Sequence, residues 1–579
     1  MTMTLTDRPD VFTRPAGAEP RGEPAAVIAK RKQDQTRNRV LLAILAFVLV
    51  YGIISTRLIM LGLTDPSDDV ARGSAASAVA TARPDIVDRN GEILATDIRT
   101  ASLFAEPNKI VDPDEATELI TSVLQDLDAT ALRKKLSTKA GFVWVKREIT
   151  PTQQAQIHDL GIPGVGFLTE NKRFYPGGPA AAHIVGLVNI DNQGIAGLER
   201  TVDERGLSDL HNAGFAMKTN SQQPVQLSID LRVQHVLRDE LVGAMQKYQS
   251  AAAMGVMINA KTGEVVALAS LPDFDPNDPV DANKPDRLNR LTAGSYELGS
   301  VFKSFTFAMA LDSGKVKMTD SFDARSPIRV GRQAIHDSHP QARFLTVPEV
   351  FQYSSNIGTA KMAMVIGSET QQEYIRRFGL MTKLKTELPE VATPQIPKRW
   401  SDVTTMTVAF GHGIAVTPMQ AAMADCALVN GGYLFPPTFF PRTRENALAQ
   451  ATRVVSQKTS DEMRWLFRFN GVKGSGRHAD VPGYVVGGKT GTAEKVANGR
   501  YVEGHYLNSF LAVFPMDDPQ YVLMISVDDP RPEKPGMPAL AAWNAAYVAG
   551  NVVRRSAAFL GVQPRTADES NPDAMLVSY

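Results

Sequence analysis

Residues Val40 to Leu63, VLLAILAFVLVYGIISTRLIMLGL, form an apolar run interrupted by one charge, Arg57. A run of this length crosses a hydrocarbon core of about 30 Å as a helix. It divides the chain into what stays behind and what is exported, and no other feature restricts the fold as much. Lys30, Arg31, Lys32, Arg37 and Arg39 precede it against one acid, Asp34, while Asp65, Asp68 and Asp69 follow it. The positive-inside rule then keeps the N-terminus in the cytoplasm and exports everything after Leu63. Arg57 lies close enough to the far end to snorkel to the interface. A cleaved signal peptide is the rival reading, because Gly73 to Ala82 contains Ala-x-Ala triplets. Its charged leader and its apolar core would both be too long, so an uncleaved anchor over residues 39–63 is expected. Residues 1–38 are polar without apolar periodicity and read as a disordered cytoplasmic tail.

Composition narrows the exported part. The chain has 579 residues, which favours several domains, and 43% of them are hydrophobic, enough for sizeable cores. Lys plus Arg and Asp plus Glu are equal at 62 each, which gives no support to nucleic-acid binding. The single cysteine, Cys426, excludes an intramolecular disulfide and a thiolate metal cluster. It sits in the apolar run Met419 to Leu428 and is expected to be a buried structural thiol.

Residues 64–224 mix short strand-like runs with turns and contain no catalytic cluster, as expected of a non-catalytic pedestal. Within them, DIVDRNGEILA places Asn90-Gly91 between two apolar runs, a hairpin signal. Residues 225–564 have a different texture. DLRVQHVLRDELVGAMQKY carries Val233, Val236, Leu237, Leu241 and Ala244 at helical spacing. AMGVMIN and EVVALAS read as a hairpin around Ala260 to Gly263, LNSFLAVF and YVLMISV as adjacent antiparallel strands, and Ala539 to Leu560 as a closing helix. Strands at both ends with helices between them predict one α+β domain whose sheet joins distant segments. Residues 565–579 form a tail.

Chemistry concentrates in three stretches of this second domain. Ser300 and Lys303, in SYELGSVFKSFT, lie one helical turn apart at the start of an apolar helix, so the lysine can reach the serine hydroxyl. YSSNIG offers Ser354 and Asn356 at alternate positions. GGKTGTAEK follows the strand-like GYVV, with glycines that admit close approach of a ligand backbone. A fourth stretch, GHGIAVTPMQ, is a glycine turn leading into an apolar helix. Singly, these also read as an exposed strip, a helix cap and a turn. Ser-x-x-Lys, Ser-x-Asn and Lys-Thr-Gly in that order form the set found in β-lactamases and penicillin-binding proteins.

The chain therefore resembles the class B penicillin-binding proteins, the membrane-anchored peptidoglycan D,D-transpeptidases. The resemblance extends from the anchor to about Pro564. It includes IVDRNGEILA, RFYPGG, AAHIVGL and GIAGLE in the pedestal, then LSIDLRVQ, TGEVVALASLPDFDPN and SFLAVFP in the second domain. SSNIGTAKMA and VNIDNQGIAGLE are similar to the cell-division (FtsI) subclass rather than the elongation one. Leu298-Gly299 departs from the family's usual Pro-Gly before the nucleophile, Arg83-Pro84 from its usual Arg-Gly, and Glu494 stands where glutamine is frequent.

The resemblance implies an antiparallel sheet flanked by helices, of the penicillin-binding and β-lactamase type, on an elongated dimerisation-type pedestal. It implies Ser300 as nucleophile and Lys303 as its base. It also implies Ser354 as proton relay to the leaving D-alanine, Asn356 on the donor peptide's amide, and Lys489, Thr490 and Thr492 on the terminal carboxylate, with Gly491 between them. The N–H groups of Ser300 and Thr492 would form an oxyanion hole. The implied partners are donor and acceptor stem peptides, β-lactams, and an FtsW-type glycosyltransferase with other divisome membrane proteins. The implied location is the bacterial inner membrane at the septum, with the bulk in the periplasm and no cofactor. A carboxypeptidase or β-lactamase, and a penicillin sensor or scaffold, are the competing readings. No Glu between Asn356 and Lys489 is followed four residues later by Asn, unlike the deacylating loop of class A β-lactamases. His336-Asp-Ser-His339 tempts a metal reading but lacks the helical His spacing of hydrolytic zinc sites, so no metal is expected.

Overall fold

The computed structural model describes residues 44, 45, 47–57, 83–212, 223–331, 333–497 and 500–565. The chain forms two compact units, Met1–Ala78 and Val79–Tyr579. In the first, the described residues are helical with exposed side chains. Among the described residues no helix is long and apolar enough to cross a membrane. The rest of the expected anchor (39–43, 46 and 58–63), the tail 1–38 and residues 566–579 lie outside the described residues.

The second unit begins with the expected hairpin. Strands β1 (Ile86–Val87) and β2 (Ile93–Ala105) pair antiparallel across Asn90-Gly91. Buried Asp88 organises the turn by accepting the N–H groups of Asn90 and Glu92 at 2.7 and 2.9 Å. Its other oxygen accepts the Leu231 N–H at 2.9 Å and so fastens the hairpin to the first helix of the following domain. β2 also pairs with β3 (Val143–Ile149) and β4 (Val165–Phe174), and short helices cover the sheet over Leu103, Ile120, Leu132 and Ile157.

A charged cluster closes the other end of this region. Arg173 donates to Glu199 at 2.6 Å, to Asp97 at 3.1 Å and to the Pro84 carbonyl at 2.9 Å, with both Arg173 and Glu199 side chains 1% exposed. Arg83 adds pairs to Glu199 at 2.8 Å and Asp203 at 2.7 Å. The RFYPGG and GIAGLE stretches meet here, which gives their charged residues a structural reason.

The following region is built on one antiparallel sheet. Helix α1 (Leu231–Tyr248) buries Val233, Val236, Leu237, Leu241 and Ala244 as its spacing predicts. Then come β5 (Ala252–Asn259) and β6 (Val265–Leu271), α2 (Lys303–Asp312), α3 (Asn356–Ile366), α4 (Pro418–Val429), α5 (Gln457–Lys473), β7 (Gly487–Ala497), β8 (Arg500–Phe514), β9 (Tyr521–Asp528) and α6 (Ala545–Ser556). The strand order is β7-β8-β9-β5-β6, so the N-terminal hairpin completes a sheet begun by C-terminal strands.

Side chains alternate faces along a strand. Met254, Val256 and Ile258 of β5, with Val522 and Met524 of β9, face the helical core around α2 and α4. Ala253 and Met257, with Leu523, Ile525 and Val527, face α1 and α6. With both faces covered, these strands read as nearly unbroken apolar runs.

Two expectations need correction. GYVV is not a strand. Tyr484 lies in a turn, Val485 adopts φ 46°, and β7 starts at Gly487, because the Val486 carbonyl is taken by Arg468 at 2.7 Å instead of by a neighbouring strand. The closing helix is shorter than Ala539 to Leu560. Ala541–Trp543 is a 3-10 turn whose first N–H donates to Thr492 Oγ1 at 3.3 Å, and Asn544 caps α6 at Ala545.

Cys426 is buried, as its apolar setting predicts. Its neighbour Asp425 was not foreseen. It is 0% exposed, and neither carboxyl oxygen has a hydrogen-bond partner among the described residues. Burial holds its pKa well above the usual carboxylate range. A carboxyl raised on folding binds its proton more tightly in the native state. Stability is therefore full below about pH 3.9 and falls as pH rises toward the folded pKa, by up to about 1.4 kcal/mol per pH unit. Asp425→Asn should flatten this dependence and raise the melting temperature over wild type increasingly between pH 4 and pH 8. Parallel melting curves of the two proteins across that range would contradict it.

Candidate active site

Ser300 lies on a 3-10 turn, Gly299–Phe302, which continues directly into α2 at Lys303. The turn packs against the edge strand β7. A Cβ on Gly491 would stand 2.3 Å from the Leu298 carbonyl oxygen, so only glycine at this position lets the Ser300 turn lie flat on the Lys-Thr-Gly strand. Gly299 has φ 54° and would place a Cβ 2.7 Å from the Thr492 carbonyl oxygen. Ser300 and Thr492 thus line one seam between turn and strand.

The second stretch arrives from the helical side. Tyr353 ends a short helix, Ser354 turns the chain with φ 53°, and α3 starts at Asn356 with Ser355 as its N-cap. The helix-cap reading of YSSNIG is borne out at Ser355, and the two residues it offered for chemistry flank that cap. Ser355 caps the helix by accepting the Gly358 N–H at 2.9 Å, and Ser354 and Asn356 face inward.

The two lysines meet at Ser354. Lys303 Nζ donates to Ser354 Oγ at 3.0 Å, to Asn356 Oδ1 at 2.8 Å and to the Ser354 carbonyl. Lys489 Nζ donates to the same Ser354 Oγ at 3.0 Å and to the Thr490 carbonyl at 3.1 Å. Both lysines are 0% exposed. Burial, then the charge of Lys489, pushes the Lys303 ammonium well below its usual range, while Asp337 opposes the shift. Burial lowers Lys489 to about 7. These are the conditions under which a lysine becomes a base at neutral pH. Among the described residues no hydrogen bond joins Ser300 Oγ to Lys303 Nζ, which the Ser354–Asn356 turn holds instead.

Further groups, missed in the sequence, support this arrangement. Asp337, in the stretch that tempted a metal reading, accepts from Ser355 Oγ at 2.7 Å and from the Ile357 N–H at 2.9 Å. It secures the turn that carries Ser354 and Asn356. Among the described residues no group of three or more His, Cys, Asp or Glu is placed to hold a metal ion. Ser475 Oγ shares a 2.7 Å hydrogen bond with Thr490 Oγ1. At the rim, Tyr501 donates to Glu297 at 3.1 Å and stacks on His412 at 5.4 Å. Burial and the Lys303 charge lower His412 to about 4, which keeps its imidazole neutral at pH 7.

A serine beside a strand edge, with two buried lysines sharing a second serine, is an arrangement for acyl transfer. Comparison with known proteins agrees. Residues 253–546 match the penicillin binding protein transpeptidase domain, and residues 78–209 match the penicillin-binding protein dimerisation domain. The chain is 38% identical over 548 residues to the probable peptidoglycan D,D-transpeptidase FtsI of Caulobacter vibrioides, covering 93% of this chain and 91% of that one.

The chain belongs to the class B penicillin-binding proteins.

Other relatives of this transpeptidase include stage V sporulation protein D of Bacillus subtilis, 32% identical over 569 residues with 91% and 87% covered. Peptidoglycan D,D-transpeptidase FtsI of Escherichia coli is 28% identical over 508 residues, with 82% and 84% covered. The departure at Leu298 has a local consequence in this penicillin-binding protein. Leu298 has φ −97°, outside the range near −65° to which a proline would hold it, and its side chain is buried.

Proposed function

We propose that this transpeptidase cross-links peptidoglycan stem peptides through an acyl-enzyme on Ser300. The hydrogen-bonded group Lys303–Ser354–Lys489 beside the Ser300 turn carries the reading. Neutral Lys303 takes the hydroxyl proton as Ser300 Oγ bonds to the carbonyl carbon of the penultimate D-alanine. The N–H groups of Ser300 and Thr492 receive the oxyanion, and one such donor is typically worth about 3 kcal/mol in the transition state. The C–N bond then breaks, and Ser354 passes a proton to the departing D-alanine amine. Asn356 holds the donor amide. Lys489, recharged by the donor's terminal carboxylate, holds it with Thr490 and Thr492, while Gly491 keeps the strand flat. An acceptor amine finally attacks the ester, its proton returns to Ser300, and a cross-link remains. β-Lactams enter the first step and stay on the serine.

The pedestal over 64–224 and the transpeptidase domain over 225–564 then work from a membrane anchor at 39–63, with the bulk in the periplasm. The resemblance of SSNIGTAKMA and VNIDNQGIAGLE to the cell-division subclass motivates a septal role beside an FtsW-type glycosyltransferase and other divisome proteins. The test supplies the full chain, in detergent, with a donor ending in D-Ala-D-Ala and an amine acceptor. D-Alanine release matched by cross-linked product is expected. Release matched by the hydrolysed donor would make the protein a carboxypeptidase.

A further inference from the structure

Asn470 has no part in the chemistry above, yet it touches both the strand and the loop of the carboxylate-binding side. It lies on α5, four residues before the Gly474 that caps that helix, and is 0% exposed. Its amide Nδ2 donates to the Gly488 carbonyl at 2.7 Å, one residue before Lys489. Its Oδ1 accepts the Ser475 N–H at 3.2 Å and the Ser475 hydroxyl at 3.5 Å. Its own carbonyl accepts the N–H groups of Gly474 and Gly476, at 3.0 and 3.3 Å. One side chain therefore fixes the Gly474–Gly476 loop and the start of β7 against each other. The product of that fixing is the 2.7 Å bond between the hydroxyls of Ser475 and Thr490.

A hydroxyl already bonded to one neighbour has its remaining proton or lone pair aimed in a set direction, so it binds a ligand without further ordering. The fit around Asn470 is close. A Cβ on Gly474 would lie 2.1 Å from Asn470 Oδ1, and one on Gly476 would lie 3.2 Å from Nδ2. A side chain at Gly474 would displace the amide. An asparagine is also the economical choice, since this position needs one donor and one acceptor back to back.

We propose that Asn470 is a positioning residue for the carboxylate site. It acts through Ser475 and Gly488 to place Thr490 and Lys489 for a substrate ending in a free carboxylate. This inference rests on the proposed role of those two residues. It predicts a selective defect. Loss of Asn470 weakens reactions that use the carboxylate, and spares those that do not.

The experiment measures acylation of the full chain, in detergent, by a penicillin and by the methyl ester of the same penicillin. Wild type should prefer the free acid. Asn470→Ala and the near-isosteric Asn470→Asp, which cannot donate to Gly488, should each lose roughly 10- to 100-fold with the free acid. Each should lose much less with the ester, so that the preference collapses. Melting curves identify a variant that has not folded, and the other variant then decides. A parallel loss with both compounds would make Asn470 merely structural, and an unchanged preference would equally overturn the inference. Absence of any adduct in wild type would instead overturn the reading on which it rests.

Discussion

Lys303→Ala is expected to slow penicillin acylation of Ser300 by roughly 10²- to 10⁴-fold, the range for removal of a positioned general base. The expectation follows from where the two lysines sit. Both point at one hydroxyl and both are sealed from water, so two full charges there are costly. Burial and the Lys489 charge together push Lys303 well below the usual lysine range. The pH profile carries the signature. Acylation should be supported by neutral Lys303 well below pH 10 and should decline above about 7, where free Lys489 loses its charge. The two limbs belong to the coupled pair. A rate that climbs steadily to pH 10 would mean an ordinary lysine, and the assignment would fail. Stability moves the other way. A lysine whose pKa falls on folding costs stability at low pH, and the cost fades as pH rises from the folded pKa toward 10.4. Lys303→Ala should therefore melt higher than wild type at pH 5, relative to the difference at pH 9.

Glu199→Gln is expected to destabilise the pedestal by about 3–5 kcal/mol, as breaking a buried ion pair from one side does. Glu199 receives both Arg173 and Arg83, so its loss leaves two guanidinium groups buried with reduced compensation. Asp97 retains a bond from Arg173 and Asp203 one from Arg83, which keeps the effect finite. The matched control is Glu204→Gln. Its partner Arg200 is 47% exposed, and such a pair is worth only about 0.3–0.5 kcal/mol. Thermal melting or protease sensitivity reads both. Equal effects of the two substitutions would show that the cluster contributes no more than a surface pair.

Legibility in the sequence followed the range of the forces involved. The Asn90-Gly91 hairpin, α1 and the strands facing both cores were legible because local turn chemistry and side-chain period determine them. The order of Ser300, Lys303, Ser354, Asn356 and Lys489 along the chain singled them out as candidates, and the structure brings the last four into one hydrogen-bonded group. GYVV misled because its apolar run looks like a strand, whereas Arg468 at a distance in sequence takes the Val486 carbonyl. Asp337, Asn470 and Asp425 were not legible. An aspartate or asparagine in a loop or helix looks the same whether it is solvated or buried, and only tertiary contacts distinguish them. The histidines drew attention to the segment in which Asp337 secures the Ser354–Asn356 turn.

Ser300 is the group on which the proposed acyl transfer depends. Intact mass should be measured after incubating the full chain with penicillin, beside Ser300→Ala. One long-lived adduct on wild type, absent from the variant, is the predicted result. An adduct that survives Ser300→Ala, or no adduct on a folded wild type, would contradict the assignment.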